Sequence, residues 1–140
     1  MKRKLWTLPL ALGAALALCV GASATNGTKL ETSHGGQTLS SGEYYLDGDV
    51  TISQTITVSG TVTLDLNGHV LQYKNDSTKG SVIKVESGGH LTIQDSNTGS
   101  LSHKFTPNSD GLWILDETSG TEEVKGGVIT GGTGTQWDQY

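Results

Sequence analysis

Several groups of side chains in this 140-residue chain have types and spacings that could do chemistry. Asp47 and Asp49 flank Gly48 and could offer carboxylate oxygens to Ca2+, with Asp65 from a later stretch joining them. The same residues also suit a plain turn ahead of Val50, because the repeated glycine and aspartate nonapeptide of Ca2+-binding β-rolls is missing. His69 and His90 each follow a glycine, 21 residues apart. Stacked on neighbouring strands their Cβ atoms would lie about 5 Å apart, a pair able to bind Zn2+. No third ligand accompanies them in the sequence, so a stacked polar ladder is the simpler reading. Tyr73, Phe105 and Trp113 offer aromatic faces of the kind that stack on sugar rings. Trp113 also lies among Leu112, Ile114 and Leu115, where packing beneath a neighbouring loop competes with the sugar role. No organic cofactor is indicated, and Ca2+ is the ion these acids suit.

The elements that must position these residues follow from a repeat. Residues 61–72 read T-V-T-L-D-L-N-G-H-V-L-Q, and a shift of 21 lays Val62 on Ile83, Leu64 on Val85, Asp65 on Glu86 and Gly68-His69 on Gly89-His90. A repeat of about 20 residues built on period-2 strands suits one coil of a β-solenoid. Val50, Ile52, Ile56, Val58, Val62, Leu64 and Leu66 alternate with polar residues and are expected to face inward. Corners are expected at Ser53-Gln54, Ser59-Gly60 and Asn67-Gly68. Asn-Gly is equally a hairpin signal, which keeps an antiparallel β-meander or sandwich as the alternative. In the second copy Ile83, Val85, Leu91 and Ile93 are expected inward, with Leu64 and Val85 stacked in adjacent coils. Residues 75–80 form a polar bulge, 102–110 a loop insertion, and 111–116 and 126–132 further strands.

Residues 1–24 have the make-up of a secretory signal peptide: Lys2, Arg3 and Lys4, an apolar run over 8–20, then Ala22-Ser23-Ala24. The run of 13 residues falls short of the roughly 20 needed to span a bilayer. No transmembrane segment is expected once it is removed. Cys19 would leave with it, so the remaining chain has no cysteine and relies on ladder hydrogen bonds and a stacked apolar interior. Beyond Ala24, six lysines and no arginine stand against 14 acids, a net charge of −8 that disfavours nucleic acid and anionic lipid. Residues 25–43 read as a polar lead-in able to cap the first coil, 44–132 as the coils, and 133–140 as a truncated tail. The expected whole is the N-terminal part of a longer solenoid, with edge-to-edge self-association if the last coil is left open.

The stretches L-D-L-N-G-H (64–69), V-E-S-G-G-H-L-T-I-Q-D-S (85–96) and G-G-V-I-T-G-G (126–132) resemble secreted bacterial right-handed parallel β-helix proteins of the pectate-lyase-like superfamily. The resemblance implies an all-β, right-handed parallel β-helix and a secreted or cell-surface protein. Many members of that superfamily act in adhesion or glycan interaction, and others are polysaccharide lyases or glycoside hydrolases. The lyases it implies use Arg or Lys beside Ca2+, and no arginine follows residue 24. A hydrolase would need carboxylates converging on one face. Asp65, Glu86, Asp95 and Asp116 instead fall at repeat positions that suit a ladder or a corner. The expectation is therefore a non-catalytic surface segment whose partner is a polysaccharide or a host or cell-surface glycan, with a fragment of a polysaccharide-degrading enzyme as the alternative.

Overall fold

Alternation of apolar and polar residues over 50–66 yields strands with one buried face. In the computed structural model, which describes residues 27–109 and 111–132, Val50, Ile52, Ile56, Val58, Val62, Leu64 and Leu66 are all buried. The expected signal peptide and the tail at 133–140 lie outside the described residues. The described chain is all-β, with one 3-10 turn at Thr32–His34. None of its helices is long and apolar enough to cross a membrane.

Two sheets are parallel. In the first, β1 (Thr28–Lys29), β2 (Thr38–Tyr45) and β4 (Ile56–Asp65) lie side by side. Beyond β4 its two halves pair separately with β6 (Ile83–Val85) and β7 (His90–Gln94). In the second, β5 (Val70–Tyr73) lies between β3 (Val50–Ile52) and β11 (Val128–Thr130). One apolar cluster includes Ile56, Val58, Val62 and Leu64 of the first sheet and Val50, Ile52, Leu71 and Tyr73 of the second. Leu30 and Leu39, from the polar lead-in, join it. The lead-in thus supplies a pairing strand and core side chains.

The Asn67-Gly68 corner takes the chain from β4 to β5, which belong to different sheets, so the dipeptide makes a corner and not a hairpin. Asn67 (φ 46°) and Gly68 (φ 80°) both adopt the left-handed region that asparagine and glycine tolerate best. Ser59-Gly60, expected as a corner, lies inside the ten-residue strand β4. A Cβ at Gly60 would come within 1.6 Å of the Ser40 carbonyl oxygen, so glycine is needed there for close strand approach.

The spacing between paired parallel strands differs from the 21 read in the sequence. Between β3 and β5 it is 21 (Val50 beside Leu71), but between β4 and the next strands it is 27 (Ile56 beside Ile83) and then 29 (Thr61 beside His90). Leu64 accordingly neighbours Ile93, and Val85 neighbours Val58. The cause is chain length at the bulge: residues 74–82 join β5 to β6, where only 53–55 join β3 to β4. The expected inward set of the second copy is also less covered, with Val85 45% and Ile93 50% exposed. Among the described residues, β6 and β7 have a strand neighbour on one side only.

The expected loop insertion is mostly strand. β8 (Ser102–Pro107) is central in an antiparallel sheet, flanked by β9 (Trp113–Leu115) and β10 (Glu122–Lys125). This sheet lies against the outer face of β5. Leu71 and Tyr73 of β5 point to the core, yet Val70 and Gln72, which alternate with them, are buried too. The Gln72 Oε1 accepts the Leu115 N–H at 2.8 Å. Leu71→Ala should therefore cost about 2–5 kcal/mol in urea unfolding, as expected for a fully buried leucine, while Val85→Ala should cost less than about 1 kcal/mol. Equal losses at the two positions would contradict the placement of Val85 on an open face.

Candidate functional site

The Asn67-Gly68 corner carries His69 just ahead of β5 and turns the Gly68 carbonyl toward the antiparallel sheet. His103, on β8, reaches that carbonyl with Nε2 at 2.6 Å. Its side chain is buried, the residue being only 5% exposed. The other ring nitrogen, Nδ1, lies 2.9 Å from Glu117 Oε1 and 3.7 Å from Asp49 Oδ2. Glu117 stands in the turn after β9, where its Oε2 accepts the Lys104 N–H at 3.3 Å. Asp49, just before β3, is held by the Val70 N–H on its Oδ1 at 2.8 Å. His69 Nδ1 approaches that same oxygen at 3.7 Å. Ligand-type atoms of Asp49, His103 and Glu117 all lie within 4.8 Å of one another. Burial pushes the His103 imidazolium toward deprotonation, but its hydrogen bond to the Gly68 carbonyl, its contact with Glu117 and the nearby Asp49 charge outweigh this and raise its pKa.

The acids expected to hold Ca2+ do not act together. Asp47 pairs with Lys29 at 3.3 Å on the surface. Asp65 accepts the N–H groups of Asn67 at 2.8 Å and Ser96 at 2.9 Å, and the Gln94 amide at 3.3 Å. Its carboxylate is saturated by the corner it belongs to. Asp49 alone of the three joins the cluster around His103. The expected His69–His90 pair is also not formed: the longer connection at 74–82 moves His90 beside Thr61 of β4. His103 and Glu117 had no local signal: they are 14 residues apart, and only His103 falls in the stretch read as an insertion. The one available clue was the alternation of His103 and Phe105 among polar residues, which marks an inward strand face.

The three aromatics expected to meet sugar divide differently. Trp113 is 43% exposed, so it is not core. Phe105 and Tyr73, at 1% and 3% exposure, are buried and present almost no face to a ligand. Their alternation phase places them inward on β8 and β5, and the Tyr73 hydroxyl donates to the Thr78 carbonyl at 3.0 Å. Trp113 and Phe105 nevertheless share one open cleft of about 290 Å³, Phe105 forming part of its floor. Val124, Val128 and Ile129 add apolar surface, and Glu122, Glu123 and Thr130 add oxygens. The Thr130 hydroxyl donates to the Trp113 carbonyl at 2.5 Å, tying β11 to β9. Tyr73 lines a separate, more polar depression with Lys74, Asn75 and Asp76.

Searches find no matching protein-family model, no matching curated protein and no matching solved structure.

Asp65 gives the corner a pH dependence. Burial pushes its pKa up, but the hydrogen bonds from Ser96, Asn67 and Gln94 more than offset this and hold the carboxyl below its ordinary value. A depressed folded pKa contributes stability that is fully present above the unfolded value and is lost as pH falls through the folded one. Stability should thus be insensitive to Asp65 above about pH 5 and should decline below about pH 4. Asp65→Asn should lower stability at pH 7 and flatten that acid limb in urea titrations; an acid limb unchanged in the variant would refute the assignment.

Proposed function

We propose that the chain is part of a secreted or cell-surface right-handed parallel β-helix protein that binds a glycan in the cleft beside Trp113. The observation that carries this reading is an exposed indole, 43% accessible, at the edge of a cleft rimmed by Glu122, Glu123 and Thr130. An aromatic plane flanked by hydrogen-bond acceptors suits a pyranose ring, whose apolar face stacks while its hydroxyls donate. The parallel pairing of β1, β2, β4, β6 and β7 and of β3, β5 and β11 supports the β-helix reading, as does the apolar cluster between those sheets. The leader at 1–24 supports export. Glu122 and Glu123 on the rim favour neutral or amino sugars and disfavour polyuronates by like-charge repulsion. The row of half-exposed apolar residues on β6 and β7 supports edge-to-edge self-association as a further mode of assembly.

A glycan array and a uronate-release assay test the proposal together. Neutral or amino-sugar glycans should bind, Trp113→Ala should weaken binding roughly tenfold or more, and the melting curve should shift little because the indole is half exposed. No array signal, or binding indifferent to Trp113→Ala, would sink the glycan reading. Release of uronate product would favour a polysaccharide-degrading enzyme instead.

A further inference from the structure

Three side chains with metal-binding atoms converge where the parallel strands meet the antiparallel sheet: Asp49, His103 and Glu117. Each has one polar atom fixed by the backbone and a second atom turned into the cluster. His103 Nε2 donates to the Gly68 carbonyl at 2.6 Å, which turns Nδ1 toward the two carboxylates, where a bound cation would replace the proton that Nδ1 shares with Glu117. Asp49 Oδ1 accepts the Val70 N–H at 2.8 Å, leaving Oδ2 facing His103. Glu117 Oε2 accepts the Lys104 N–H at 3.3 Å, leaving Oε1 facing the same nitrogen. Outer hydrogen bonds of this kind orient the ligands of metal centres.

The separations suit a small ion. Ligands about 2.0–2.2 Å from a tetrahedral Zn2+ stand roughly 3.3–3.6 Å from one another. The contacts here, 2.9 Å for His103 to Glu117 and 3.7 Å for His103 to Asp49, bracket that range. Ca2+ takes about 6–8 oxygen ligands, which two carboxylates and one imidazole do not supply. We infer that Asp49, His103 and Glu117 bind a divalent cation of the Zn2+ class, with the fourth position open to water. The bound ion cross-links Asp49, just before β3, to β8 and to the turn after β9, in a chain with no cysteine beyond Cys19 to do so. The inference is independent of the glycan reading, since Trp113 lines a different part of the surface.

Titrating the full chain with Zn2+, Co2+ and Ca2+ separately, followed by calorimetry and by visible absorption for Co2+, tests it. The expected result is saturable binding of one Zn2+ per chain, a Co2+ spectrum of a four-coordinate nitrogen and oxygen site, and no saturable Ca2+ binding. Zn2+ should also raise the melting temperature. Glu117→Gln, at a half-exposed position that leaves the fold intact, should weaken Zn2+ binding by about tenfold or more. Asp49→Asn should weaken it as well, and His90→Ala should leave it unchanged. Absence of Zn2+ binding to the folded chain would overturn the inference, as would binding that survives Glu117→Gln and Asp49→Asn unaltered. Loss of binding in His90→Ala would overturn it too, by placing the ion elsewhere.

Discussion

Where the chain turns from one parallel sheet into the other, backbone N–H groups leave the ladder and need another acceptor, and this chain supplies aspartate. Asp65 takes the N–H groups of Asn67 and Ser96. Asp95 takes those of Gly68 and Gly127, both at 2.6 Å, and Asp49 takes that of Val70. Hydrogen bonds to a charged acceptor are worth about 1.5–3 kcal/mol each, and a buried donor left alone costs about 1–3 kcal/mol. Each carboxylate reaches a stretch of chain far from its own, so the corners tie distant strands together as well as completing themselves. The Asn67 side chain adds to the column by donating to the Leu46 carbonyl 21 residues earlier.

The same corner sets the position of the His103 cluster and of the Trp113 cleft. Because Asn67 and Gly68 both take positive φ, the Gly68 carbonyl is free of the parallel ladders and becomes the acceptor for His103. That bond fixes β8, and β8 carries β9 and β10 with it in the antiparallel sheet. Trp113 sits on β9 and the Glu122–Glu123 rim on β10, so the cleft depends on a carbonyl of the parallel coil. Gln72 makes a second attachment through the Leu115 N–H, which explains a buried amide on the outer face of β5.

Much of the parallel-strand part was legible in the sequence because alternation over 50–66 and the Asn67-Gly68 corner are local signals with local causes. The stacking register was not. An offset of 21 is real for Val50 and Leu71, where a short connection joins the strands, and the match of Gly68-His69 to Gly89-His90 imitates it. Register depends on how much chain leaves the coil between strands, and the bulge at 74–82 changes that without touching either motif. His103 and Glu117 were illegible for a related reason. They meet through antiparallel pairing of β8 with β9, and nothing in a spacing of 14 residues announces a shared site.

The clamps also bear on what the acids can do chemically. A glycosidase general acid must keep its proton near neutral pH, which requires a raised pKa. Asp116 goes the other way: the Ser119 N–H, the Thr106 hydroxyl and the Thr118 N–H hold its carboxyl below the ordinary value. Asp65 is held down by its own donors. Two acids at repeat positions are thus tuned to stay ionised and to grip the backbone. The acids that face a cleft, Glu122 and Glu123, lie on the antiparallel sheet outside the repeat. Asp65 thus serves the corner of the parallel sheets and Asp116 the turn after β9, which leaves the cleft to the acids of β10.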